Sequence, residues 1–129
     1  MDKPTGDAGA VRARVIARLL REYTGHGTYR AEPCRPSFAE GGVADVVVQR
    51  QDRYVRSLVV RTGVDAANPG EGERWRRAAE HAAATGARAW FVVPAEQMPA
   101  ARALLRQAHV EADLCGYALD GDQVRLLWR

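Results

Sequence analysis

Lysine is nearly missing from this chain: Lys3 stands alone beside eighteen arginines. Serine is scarce too, since Ser37 and Ser57 are the only two and neither lies in a Gly-x-Ser-x-Gly element. A serine hydrolase built on a nucleophile elbow is therefore excluded. The sequence has no P-loop and no Gly-x-Gly-x-x-Gly turn after a strand, which removes the nucleotide-binding classes that cradle phosphate on backbone N–H groups. Its two cysteines, Cys34 and Cys115, show no Cys-x-x-Cys spacing, so neither a disulfide scaffold nor a zinc knuckle is expected and both read as free thiols. His26 precedes Cys34 by eight residues, but two ligands without companions do not make a zinc site. His81 and His109 are isolated and read as surface residues. Long apolar runs are absent as well. Ala89–Pro94 is the longest, far short of the roughly 18 residues of a membrane helix, and the N-terminus holds no apolar core of signal-peptide length. A cytoplasmic protein without membrane contact is expected.

What remains is the composition of a globular chain. With 129 residues, 47% hydrophobic and 27% charged, it has room for one ordinary domain, and residues 1–7 are expected to be flexible. Net charge is only +3. Arginine offers a planar fork suited to phosphate, which is compatible with DNA or RNA contact, yet an Arg- and Ala-rich chain is equally what a GC-rich genome encodes. The charge is unevenly spread. Residues 1–30 hold six basic and three acidic groups, whereas residues 109–129 hold two and four, a gradient that could orient a polyanion or another protein.

Hydrophobic spacing then sets the elements. Asp7 reads as an N-cap for a helix whose stripe is Val11, Val15, Ile16, Leu19, Leu20 and Tyr23. A short extended piece at Thr28–Glu32 precedes two β-branched runs, Val43–Arg50 and Tyr54–Arg61, joined as a hairpin without an Asn-Gly turn signal. A second helix over about Gly72–Thr85 presents Trp75, Ala78, Ala79, Ala82 and Ala83. Arg88–Val93 reads as a strand buried on both faces. A third helix over about Glu96–Ala108 turns Met98, Ala101, Leu104, Leu105 and Ala108 inward, and Leu114–Leu119 with Val124–Trp128 forms a closing hairpin. Hairpins impose antiparallel pairs and the strand–helix–strand unit a parallel one. The expected fold is α/β, a three-layer α/β/α domain with a mixed sheet.

That order, αβββαβ with an added helix and C-terminal hairpin, resembles the PD-(D/E)XK, or restriction-endonuclease-like, superfamily over roughly residues 8–94. In that family an Asp near the start of one strand and an acidic-x-Lys element on the next hold a divalent metal. Gly42-Val43-Ala44-Asp45-Val46-Val47-Val48 resembles the first element, and Leu58-Val59-Val60-Arg61-Thr62-Gly63 sits where the second belongs. The resemblance implies Asp45 as the metal-binding Asp, Val59 in place of the second carboxylate and Arg61 in place of the Lys. One carboxylate is a weak hold on Mg²⁺ or Mn²⁺, and a guanidinium is a poor proton acceptor. Cleavage by the family's usual arrangement is not expected, and no cofactor is required.

Replacement carboxylates are Glu32, on the neighbouring extended piece, and Glu71, at the start of the second helix. Glu73 and Glu80 point away from its inner stripe on the ~100° per residue rule. Alternation puts Val55, Ser57, Val59 and Arg61 on one face, and Val43, Asp45 and Val47 on one face. An ion pair between Asp45 and Arg61 across the hairpin would explain both residues without catalysis; a vestigial phosphate site and a working metal centre are the alternatives. Arg74, Arg76 and Arg77 around Trp75 could hold a nucleic-acid backbone, or pair as Glu73–Arg77 and Arg76–Glu80 into a solvated face. The leading expectation is a degenerate nuclease-fold domain acting as a nucleic-acid-binding or assembly module. An active divalent-metal nuclease and a protein–protein interaction domain are the alternatives.

Overall fold

Six strands lie side by side in chain order, so each strand neighbours the next one along the sequence. The computed structural model describes residues 8–25 and 27–128; the expectations for residues 1–7, the Asp7 cap and His26 fall outside them. The elements are α1 (Ala8–Thr24), β1 (Tyr29–Pro33), β2 (Val46–Arg50), β3 (Arg53–Val60), α2 (Pro69–Ala84), β4 (Arg88–Pro94), α3 (Met98–Gln107), β5 (Asp113–Asp120) and β6 (Gln123–Trp128). β1, β2 and β3 form an antiparallel meander. β3–β4 and β4–β5 are parallel, because each pair is joined through a helix, and β5–β6 is an antiparallel hairpin. The α/β class and the mixed sheet agree with the sequence reading.

Period-2 alternation divides the core in two. Val46, Val48, Leu58, Val60, Val92 and Cys115 gather with the Val11–Val15–Leu19–Tyr23 stripe of α1. Val59, Phe91, Val93 and Leu114 gather instead with residues of α2 and α3. Alanines let α2 come close to the sheet, and there Trp75 stacks on Phe91 with ring centroids 4.2 Å apart. Gly72 permits the approach of α3, since a Cβ there would meet that of Ala108 at 3.1 Å.

Several boundaries move, each for a local reason. β2 starts at Val46 rather than Val43, because Gly41 folds back on Phe38 and Gly42 on Ser37, and the strand register begins only at Val46. α2 begins at Pro69 rather than Gly72: Asn68 caps it by accepting the Gly70 N–H at 2.9 Å, and proline suits the first turn. The third helix is split, with a 3₁₀ turn at Ala95–Gln97 leading into α3. Ala83 is exposed rather than inward. The β2–β3 turn places Gln51 and Asp52 at positive φ, which gives the left-handed pair that a tight hairpin needs without glycine. A register shift between Val48 and Gln49 moves Val55 onto the α1 side, away from Ser57 and Val59 where strict alternation had put it.

Candidate functional site

Asp45 sits one residue before β2, fastened between strands by its own backbone. Its N–H donates to the Leu58 carbonyl at 2.8 Å and its carbonyl accepts from the Cys34 N–H at 2.9 Å. The side chain is buried, 1% exposed, and both of its oxygens are occupied. Oδ1 accepts the Phe38 N–H at 3.1 Å and Oδ2 the Val60 N–H at 2.7 Å. Burial pushes this carboxyl above its ordinary pKa, while the two N–H donors and the charges of Arg12 and Arg61 pull against that rise.

Arg61 does not pair with Asp45. Its fork closes on Glu71, with Nε and Nη2 donating at 2.8 and 3.1 Å, so the expected cross-hairpin ion pair is replaced by one from β3 to α2. The reason is the position of Glu71 in the first turn of α2, where it faces the end of β3 and is itself buried. The Trp75 indole N–H donates to the same carboxylate at 2.8 Å, one helical turn on. Both Glu71 oxygens are thus held by protein donors.

Phe38 locks these groups together. Its N–H serves Asp45, its carbonyl accepts a hydrogen bond from Arg74, and its buried ring has the Arg61 and Arg74 guanidinium carbons 5.2 and 4.0 Å from the ring centroid. Sequence reasoning missed this residue, although a signal was present. Ser37-Phe38-Ala39-Glu40 has the Ser-x-x-Glu spacing of a capping box, and Glu40 does accept the Ser37 N–H at 3.0 Å at the start of the 3₁₀ turn Phe38–Glu40. That bond is the first cause of Glu40 titrating below its ordinary range.

Glu32 stands apart from this cluster. It pairs in register with Val47, is exposed, and accepts from Arg30 at 3.4 Å. Arg74 is committed to Phe38, while Arg76 and Arg77 both lean on Glu73, the former in contact and the latter at 3.6 Å. The Arg76–Glu80 pair does not form because Glu73, one turn back, takes Arg76 instead. His81 and His109 are exposed. Among the described residues no three His, Cys, Asp or Glu side chains converge as metal ligands. A groove of about 370 Å³ lies alongside, lined by Cys34, Pro36, Val43, Val47 and His81 among others, and it includes neither Asp45 nor Glu71.

The arrangement can tie the 34–44 loop to the ends of β3 and α2. It offers a divalent ion no free pair of carboxylates. No family model, curated protein or solved structure matches the chain.

Proposed function

We propose that this chain is a restriction-endonuclease-like domain without a cleavage centre, acting as a nucleic-acid-binding module. The observation that carries the loss of cleavage is the commitment of Asp45, whose two oxygens both accept buried backbone N–H groups. Mg²⁺ or Mn²⁺ would have to reach the remaining lone pairs of an Asp45 carboxylate that is only 1% exposed, and Glu71, the nearest second carboxylate, is itself buried and already accepts from Arg61 and Trp75. Displacing the Phe38, Val60 or Trp75 N–H to make room would leave a buried donor unpaired at about 1–3 kcal/mol each. Among the described residues, a hard cation that needs several oxygen ligands finds no compensating set.

Binding is supported by basic residues that are nearly all arginine and by a sequence pI of about 9.2. The deciding experiment uses purified protein with labelled single- and double-stranded DNA and RNA. Binding that weakens steeply with salt, as counterion release requires, together with no Mg²⁺- or Mn²⁺-dependent cleavage, is the expected result. Metal-dependent cleavage abolished by Asp45→Ala would establish the nuclease alternative. Absence of binding at low salt would leave the protein–protein reading.

A further inference from the structure

At the end of β2 and β3 remote from Asp45, the register collects a second set of groups. Tyr29 on β1 lies opposite Arg50 on β2, and Arg50 opposite Arg53 on β3. Arg56 lies opposite Val48 on one side and Arg88 on the other. Trp90 follows on β4 and Trp128 on β6, both packed with Tyr29 against the α1-side core. Tyr23, in the last turn of α1, completes the group. Its ring meets Tyr29 at 5.7 Å and Trp128 at 6.3 Å, edge to face, and Trp90 meets Trp128 at 5.4 Å.

Arg56 stands in the middle. Its guanidinium carbon is 4.7 Å from the Trp90 ring centroid, 5.5 Å from Trp128 and 6.0 Å from Tyr23, and it donates to the Tyr23 hydroxyl at 2.8 Å. Among the described residues, Arg50, Arg53 and Arg56 have no carboxylate within salt-bridge distance. By contrast, the flanking Arg18 and Arg88 are neutralised by Glu22 and Asp113 at 2.7 and 2.8 Å. A cleft of about 260 Å³ opens here, lined by Glu22, Tyr23, Tyr29, Arg56, Trp90 and Trp128. Among the described residues, Glu22 is the one carboxylate on its wall.

The chemistry is that of a planar ring carrying phosphates. Aromatic side chains offer apolar surface on which bases stack, and uncompensated arginines offer forks to the backbone. A duplex keeps its bases stacked inside and cannot use the rings. We infer that this aromatic and arginine cleft is a binding surface for single-stranded nucleic acid, with bases against Trp90, Trp128 and Tyr29 and phosphates along Arg50, Arg53 and Arg56. The inference rests on the nucleic-acid reading above and places the rings on the α1 side of the sheet, with Arg50 five residues along β2 from Asp45, roughly 16 Å at ~3.3 Å per residue. It also moves the contact from Arg74, Arg76 and Arg77, because Glu73 neutralises the last two and the Phe38 carbonyl holds the first.

Arg50 and Arg53 are exposed ends of a hairpin, so Arg50→Ser/Arg53→Ser leaves the core alone and is the variant of choice. The measurement is anisotropy of a labelled single-stranded oligonucleotide against full-length protein over a salt series, with tryptophan emission read in the same titration. Trp75 is fully buried on the other side of the sheet, so quenching reports Trp90 and Trp128. The expected outcome is quenching on binding, at least tenfold weaker binding by the double variant, and a salt slope shallower by about 1.4, at ~0.7 per lost phosphate contact on a single strand. Duplex of the same length and AMP at equal phosphate concentration should compete poorly. Wild-type binding without quenching, unchanged affinity and slope in the variant, or equal competition by duplex or AMP would overturn this surface while leaving the module reading in place. No wild-type binding even at low salt would overturn both.

Discussion

Replacing Asp45 by alanine separates a structural carboxylate from a catalytic one. The substitution removes two hydrogen bonds, at 3.1 and 2.7 Å, and strands the Phe38 and Val60 N–H groups in a buried site. An unsatisfied buried donor costs about 1–3 kcal/mol, so the pair costs roughly 2–6 kcal/mol. Relief of the buried carboxylate's own desolvation works in the opposite direction, as its raised pKa indicates. A net loss of about 3 kcal/mol follows, and Asp45→Asn, which keeps one acceptor, should lose about half as much. Urea unfolding followed by far-UV circular dichroism measures it. With a slope of roughly 2 kcal/mol per molar for a domain of this size, the alanine midpoint should fall by about 1.5 M at unchanged slope. A control at exposed Glu80 should move by no more than ~0.5 kcal/mol. A carboxylate kept for metal chemistry behaves otherwise, because active sites retain groups that cost stability. If Asp45→Ala is neutral or stabilising, the structural account of this site is wrong.

Three further outcomes follow from the same geometry. Because burial raises the Asp45 pKa, the native state keeps a proton that the unfolded chain has already released, so that contribution is present below the ordinary carboxylate range and lost as pH rises through the raised native value. Wild-type stability should therefore fall relative to Asp45→Asn across that window, and a difference that is flat with pH contradicts the assignment. In a double-mutant cycle, Arg61→Ala and Glu71→Ala should couple by at least ~1 kcal/mol, since a largely buried fork-to-carboxylate pair is lost whichever partner is removed; additivity would show that the pair contributes nothing. Gly42→Ala would place a Cβ 2.2 Å from the Pro36 carbonyl oxygen and should cost about 2 kcal/mol or more by chemical denaturation, whereas Gly63→Ala, with open space around it, should stay within ~0.5 kcal/mol.

Periodicity alone placed the elements, because apolar spacing of 3.6 or 2 reflects which face of a helix or strand leaves water. Arg61 and Glu71 enter through the resemblance to the restriction-endonuclease-like layout; periodicity also marked Asp45, since a charge inside an apolar run must find a partner. It did not reveal which partner. Asp45 and Arg61 occupy corresponding ends of adjacent strands and looked like a pair, yet the loop carrying Phe38 folds over Asp45 and the first turn of α2 brings Glu71 to Arg61. Those are encounters between residues 7 and 10 positions apart in the chain, decided by how a glycine-bearing loop and an Asn-capped helix settle on the sheet.

The aromatic and arginine end of the sheet was less visible still. Tyr23, Tyr29, Arg50, Arg53, Arg56, Trp90 and Trp128 lie on six separate elements, and no local pattern links them. A single bulge between Val48 and Gln49 alters the alternation on which a face assignment depends. The amino-acid sequence by itself determined the α/β class, the mixed sheet and the lack of a Gly-x-Ser-x-Gly or P-loop motif. Only the tertiary structure decided which charges satisfy one another and which arginines, among the described residues, have no carboxylate partner, because pairing depends on distances that strand register and helix docking create.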